Sequence, residues 1–309
     1  MALPIHVAIL DLDVPVPAIY NTRGLYSSIF RRLLESAASR LNATRTRPIA
    51  IHTSAWDLIG GNYPPLSSFL TSPPTHSSSE DTQSTNPLAL PISAILLTGS
   101  APAAYETATY PWIAPLADFL SLVYNDYPHV KIFGSCFGHQ ILAQTLLSPP
   151  LRNELCPDGR EMGLVPISLT GEFRDSFPAL RDRLPGDGEK MRLQMIHGDW
   201  VVPASGARDA VVLPAPWMNV GSSEACPIQG LYCPKRVLSY QGHFEFDAVV
   251  NAETCREFGR RAAWKPELMV EWLRLIELGK GKSEGEDEDD AKVAAEVVVL
   301  FFAGEDSPS

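Results

Sequence analysis

Three features of this 309-residue sequence predict an α/β fold: an open, mostly parallel sheet flanked by helices, with a small antiparallel extension. Through the first half, short β-rich runs alternate with stretches whose apolar residues recur every three to four positions. Beyond Met162 the chain changes to short runs separated by Pro and Gly, the pattern of antiparallel strands. Near Phe246 and Pro266 helical character resumes.

The elements follow in order. HVAIL, from His6 to Leu10, reads as a strand because five consecutive residues include β-branched and aliphatic side chains. Leu25, Ile29, Phe30, Leu33, Leu34, Ala37 and Leu41 then fall on one helical face, with Arg31, Arg32 and Glu35 on the other. The pair recurs: RPIAIH and ISAILLTGS as strands, a helix around Trp112 to Tyr124, HVKIFG as a strand, and a helix from about Phe137 to Leu147. Strands that alternate with helices pair in parallel and are covered on both faces. LVPISLT, KMRLQMIH, DAVVLP and RVLSYQ are the runs expected to add antiparallel strands at one edge.

Residues 1–279 read as a single domain, since no second boundary stands out. Residues 63–91 are rich in Ser, Thr and Pro and read as a long mobile surface insertion. Residues 280–309 read as an acidic linker and C-terminal segment, with six acidic residues between Glu284 and Asp290. The formal charge of −11 and the lack of a basic stripe argue against nucleic acid as a partner. The start of the chain lacks the features of a secretory signal, and no apolar run approaches the ~20 residues of a membrane span, so a cytoplasmic protein without a membrane partner is expected. Cys136, Cys156, Cys226, Cys233 and Cys255 form no C-x-x-C pair and no zinc spacing, so neither a disulfide framework nor a metal is expected.

One of those cysteines stands apart. Cys136 falls where a strand turns into a helix, at the carboxyl end of the sheet, with Gly134 and Gly138 on either side. A sharp corner of that kind pushes its side chain out of the core, and the helix N-terminus supplies partial positive charge and free N–H groups. A thiol placed there is a nucleophile; the alternative is a buried Cys between two turn glycines. A nucleophile needs a base and a group to orient the base. His243 and Glu245, in YQGHFEFD after the strand-like RVLS, can supply both from one strand-end loop.

With these residues the sequence resembles the class I glutamine amidotransferase family, in which G-x-C-x-G-H-Q is paired downstream with H-P-E. Here the two motifs are Gly134 to Gln140 and His243-Phe244-Glu245. LTGSAPAAY matches the family's oxyanion loop, MIHGDWV its H-G-D turn, and GSSEACPIQGLY resembles the stand-alone, fungal-type members. The resemblance spans about Ile92 to Asp247. It implies a flavodoxin-like sheet and a Cys136–His243–Glu245 triad that cleaves a γ-glutamyl amide through a thioester. It further implies an oxyanion hole from the backbone N–H of Phe137 and of Ser100 or Gly99, and substrate contacts from Gln140, Gly198 and Asp199. His139 and His197 are expected to be structural despite lying in the motifs.

Two positions depart from the family pattern. Phe244 stands where Pro is usual, which puts the stiffness of the loop in question. Leu147-Ser148 stands where many relatives end the helix with a Gly pair. No P-loop and no G-x-G-x-x-G after a strand is present, so no cofactor is expected. Three readings follow: a free-standing hydrolase or transferase acting on glutamine or a γ-glutamyl peptide or conjugate, an amidotransferase subunit serving a separate acceptor enzyme, or a non-enzymatic binding protein. The other four cysteines carry no assigned chemistry.

Overall fold

The computed structural model describes residues 2–72, 86–180, 183–184, 188–206, 211–281 and 289–306. The chain begins β1 (Leu3–Asp11), α1 (Pro17–Arg23), α2 (Tyr26–Asn42), β2 (Ile49–Asp57), β3 (Ala94–Leu97), α3 (Ile113–Asp126), β4 (Lys131–Ser135) and α4 (Phe137–Leu146). It continues β5 (Leu151–Leu155), β6 (Glu161–Leu169), α5 (Gly171–Ser176), β7 (Lys190–His197), β8 (Asp199–Pro203), β9 (Met218–Asn219), β10 (Gly221–Ser222), β11 (Leu231–Cys233) and β12 (Val237–Tyr240). Three helices close it: α6 (Ala248–Arg261), α7 (Pro266–Glu277) and α8 (Ala291–Ala303).

The main sheet runs β2-β1-β3-β4-β12-β11-β9, and its first five strands are mutually parallel. Alternate β1 residues serve two cores: Val7 and Ile9 pack with Phe30 and Leu34 of α2, while Ala8 and Leu10 pack with Leu116 of α3 and Ile141 of α4. β6 and β7 form the expected antiparallel pair, with β10 alongside, and β5 pairs antiparallel with β8.

Two of the four edge runs behave otherwise than expected. RVLSYQ supplies β12, which is antiparallel to β11 as expected but lies inside the main sheet, parallel on its other side to β4, Leu238 opposite Phe133. A buried apolar run of four residues does not encode the direction of its neighbours; the return crossover from the β6–β7 arm does. In DAVVLP, the described residues 211–214 form no strand, and Val212 is 85% exposed.

The domain also extends past 279. α8 buries Val297, Val298, Val299 and Phe301 in the same core as α2, and Arg40 pairs with Glu296 at 2.6 Å. Asp290, the last residue of the acidic run, is buried, accepts the Arg192 N–H at 2.7 Å and pairs with its guanidinium at 3.1 Å. It is therefore the anchor of α8 and not part of a solvated linker. The insertion read at 63–91 is likewise held at its stem, because Tyr63 and Phe69 pack on Phe119, Phe69 also meets Tyr127, and the buried Phe69 bridges Ile92. Residues 73–85 of that segment lie outside the described residues.

Both departures from the family pattern have local explanations. Phe244 is buried in an aromatic cluster, edge-on to Phe30 at 5.3 Å and to Phe133 at 5.6 Å, so packing holds the loop that a proline would stiffen. α4 ends at Leu147 with φ −127°, a value open to any residue, so no glycine is needed there.

Candidate active site

The corner at Cys136 is as sharp as the sequence suggests. Its φ of +50° is unusual for a residue with a side chain and stores roughly 1–3 kcal/mol that the surroundings must hold. The hold comes from both sides. The Cys136 N–H donates to the Tyr240 carbonyl at 2.8 Å, tying the corner to β12. A Cβ on Gly134 would stand 2.5 Å from the Gly138 backbone, and one on Gly138 would stand 2.9 Å from Leu97 Cβ, so only glycine lets strand, corner and helix pack this closely. Phe137, the next residue, opens α4, and the first N–H groups of a helix have no partner within it.

His243 reaches the corner from the loop after β12. Its backbone N–H donates to the Gln194 carbonyl at 2.9 Å, its ring stacks on Phe246 at 4.1 Å, and its Nδ1 lies 2.7 Å from Glu245 Oε1. Ser135 Oγ donates to the same carboxylate at 2.9 Å and 3.2 Å. Burial disfavours a charged imidazole, but Glu245 and then Cys136 favour it more strongly and raise the His243 pKa to about 10. Nε2 has no hydrogen-bond partner among the described residues. A Cβ placed on Gly99 would stand 3.2 Å from His243 Cε1 and 3.7 Å from Cys136 Cβ, so the β3 loop, the imidazole and the thiol converge on one point.

The loop after β3 is fixed by Asp13, whose Oδ2 accepts the Ala101 N–H at 2.9 Å and lies 3.5 Å from Ser100 Oγ. Gln140 donates to the Asp199 carbonyl at 3.0 Å and to Gln241 Oε1 at 3.1 Å, and Gln241 in turn points its amide N–H at Cys136 Sγ, 3.6 Å away. Tyr105 donates to Asp199 Oδ1 at 2.6 Å. A cavity of about 260 Å³ opens here, lined by Cys136, Ser100, Gln140, Gly198, Asp199 and Arg160 among others.

The two remaining motif histidines are tied into the fold. His139 is buried with Nδ1 2.9 Å from Ser239 Oγ, and burial, reinforced by His197, lowers its pKa to about 3. His197 has Nδ1 2.9 Å from the Asp199 carbonyl and Nε2 2.9 Å from Glu161.

The structure thus brings Cys136, His243 and Glu245 together and sets Gly99, Ser100 and the start of α4 at Phe137 around the thiol. Gln140, Gly198 and Asp199 share the cavity wall. Sequence reading missed Ser135, Gln241, Asp13, Tyr105 and Arg160. Ser135, Gln241 and Tyr105 lie inside or next to the quoted motifs and could have been picked out from them; Asp13 and Arg160 carry no local signal. Among the described residues no group of three His, Cys, Asp or Glu side chains could hold a metal ion, and no helix is long and apolar enough to cross a membrane.

No family model matches the sequence. Two solved glutamine amidotransferases, from Thermotoga maritima and Methylobacillus flagellatus, have TM-scores of 0.54 and 0.54 to this chain at 16% and 14% identity. They cover 98% and 100% of this chain and 99% and 97% of their own, and at such identity the likeness shows the fold. The chain is 34% identical over 142 residues to a Saccharomyces cerevisiae protein bearing the name glutamine amidotransferase, 45% of this chain and 47% of that one. It is 30% identical over 246 residues to a Schizosaccharomyces pombe glutamine amidotransferase-like protein, 79% of this chain and 81% of that one. With a relative matched along four-fifths of its length and the corner cysteine, the loop after β3 and the H-x-E loop assembled on a mostly parallel sheet, the chain belongs to the class I glutamine amidotransferase-like family.

Proposed function

We propose that the protein cleaves the γ-glutamyl amide bond of glutamine or of a γ-glutamyl peptide or conjugate, with Cys136 as nucleophile, His243 as proton carrier and Glu245 as the group that holds the imidazole. The observation that carries this reading is a thiol at a strained helix-start corner next to an imidazole whose other nitrogen is bound to a buried carboxylate. The Cys136 thiol passes its proton to His243 Nε2 as its sulfur attacks the γ-carbonyl carbon, and the charge on the oxygen is met by the Phe137 N–H and by that of Ser100 or Gly99; losing one such donor typically costs ~3 kcal/mol of barrier lowering. As the tetrahedral centre collapses, the C–N bond breaks and the His243 imidazolium protonates the leaving amine. Water then attacks the γ-glutamyl thioester, giving a proton to His243, and the C–S bond breaks to release glutamate, the imidazolium returning that proton to the sulfur. Glu245 accepts from the His243 Nδ1 side and so aims Nε2 at the reacting atoms.

The test is glutamate release by the isolated protein, without ATP, from glutamine and a panel of γ-glutamyl peptides. Turnover by wild type with none from Cys136→Ala, whose melting temperature stays unchanged, is the expected result, with peptides at least as good as glutamine. A glutamine-like diazo-ketone should add one covalent mass to wild type and none to Cys136→Ala. Full turnover by Cys136→Ala would remove the mechanism. Silence that is relieved only by cell extract and an acceptor would instead favour a partnered amidotransferase.

A further inference from the structure

Arg160 lies in the turn between β5 and β6, far in sequence from every motif, yet its side chain reaches the cavity at Cys136. The side chain lies across the Gly198-Asp199 turn: a Cβ on Gly198 would stand 2.8 Å from Arg160 Nη1 and 3.1 Å from its Cζ. Glycine at 198 therefore makes room for the guanidinium. On its other side the guanidinium carbon sits 4.8 Å from the centre of the Trp264 ring, a cation–π contact supplied by the corner between α6 and α7. Burial lowers the Arg160 pKa and the Asp199 carboxylate raises it, so the cation and the anion share one local field. Asp199 keeps its place through Tyr105, which binds one of its carboxylate oxygens.

A wall of this kind holds a fixed positive and a fixed negative group within reach of one ligand. A neutral amide needs neither, whereas an amino-acid head group with its ammonium and its carboxylate answers both. The guanidinium fork matches a carboxylate in a way that a point charge does not. We propose that Arg160, seated over Gly198 and backed by Trp264, is a carboxylate-binding, specificity-determining residue of the Cys136 cavity. The inference rests on the γ-glutamyl reading above and names what that substrate must carry: a free carboxylate. The carboxylate could come from the α-carbon of the glutamyl group or from the leaving amine. Contact with the 198–199 turn favours the α-carboxylate.

Calorimetric titration of Cys136→Ala, which binds without turning over, separates these sources. The four probes are L-glutamine, its α-carboxamide, γ-glutamylglycine and γ-glutamyl methylamide, each titrated with Arg160 intact and with Arg160→Met. The expected result is a loss of about tenfold or more in affinity for L-glutamine, γ-glutamylglycine and γ-glutamyl methylamide, as for a lost charged hydrogen bond. Binding of the α-carboxamide should not change, which also shows that the variant is folded. Arg160→Lys, which keeps the charge without the fork, should recover part of the loss. A loss confined to γ-glutamylglycine would assign the same subsite to the leaving group. Equal affinities in both proteins for all four probes, or no binding of any, would overturn the proposal. If wild type releases no glutamate while Arg160 still governs binding, the function reading fails and the subsite stands. Turnover with an unchanged KM in Arg160→Met on every substrate gives the reverse.

Discussion

Two buried histidine–glutamate pairs serve this region, one beside Cys136 and one in the 197–199 turn. His243 and Glu245 are 2.7 Å apart, His197 and Glu161 2.9 Å, and all four side chains are largely shielded from solvent. They differ in what the second ring nitrogen does. His197 has both nitrogens engaged, one on Glu161 and one on the Asp199 carbonyl. His243 has Nδ1 engaged on Glu245, while its ring stands beside the Cys136 thiol and Nε2 has no other partner among the described residues. The acids differ too: Glu161 is met by His197, Ser223 and Gln229, and although burial raises its pKa, those donors together bring it below the usual carboxylate value. The same two residue types therefore form a tie in one place and, in the proposed mechanism, a proton carrier in the other, and the second ring nitrogen makes the difference.

Substituting both histidines by glutamine tests that contrast most strongly. His243→Gln should lower kcat by about 10³-fold or more, because the proposed mechanism routes the proton through the imidazole. His197→Gln should keep kcat within about tenfold and lose about 1–2 kcal/mol of stability, since one amide cannot replace both ring bonds. Steady-state kinetics and urea unfolding of each variant read the two effects. A folded His197→Gln as inactive as His243→Gln would erase the distinction.

A smaller effect is expected at the acids. Glu245→Gln should reduce kcat, yet by about one to two orders of magnitude less than His243→Gln, because in the proposed mechanism the carboxylate orients the base without touching substrate. Glu161→Gln should leave kcat nearly intact and cost about 1–3 kcal/mol, as a neutral amide cannot accept from three donors at once. If Glu161→Gln proved the more damaging to kcat, the roles of the two pairs would have to be exchanged.

The smallest effect is a pH dependence of opposite sign at His243 and His139. His243 has a folded pKa near 10, above the unfolded value of about 6.5, so its contribution to stability is complete below 6.5 and is lost as pH rises toward 10. His139 has a folded pKa near 3, so its neutral form contributes fully above 6.5 and stability falls as pH drops from there toward 3. The melting-temperature difference between wild type and His243→Gln should therefore shrink from pH 6.5 to 10. Relative to His139→Leu, wild type should lose ground only below pH 6.5. Parallel curves for all three proteins would show that neither ring is perturbed in the folded chain.

Much of this protein was legible before any coordinates. The 3.6-residue spacing from Leu25 to Leu41, the β-rich HVAIL run and the glycine-flanked Cys136 are encoded within a few residues of one another, and the corner they predict has a backbone conformation to match. Boundaries and positions are less legible: the sequence shows no sign of α1, it points to the sheet edge for β12, which lies between β4 and β11, and it separates α8 from the core that α8 joins. An apolar run states that it will be buried but not which neighbour it will meet or in which direction. The sequence by itself determined the fold class and singled out the residues proposed to react, because periodicity and turn chemistry act over a handful of positions. Only the tertiary structure decided that Ser135 would support Glu245, that Gln241 would face the thiol, and that Arg160 would lie over Gly198 against Trp264. Those contacts join segments tens of residues apart or more, and nothing short of the packed chain sets the distances between them.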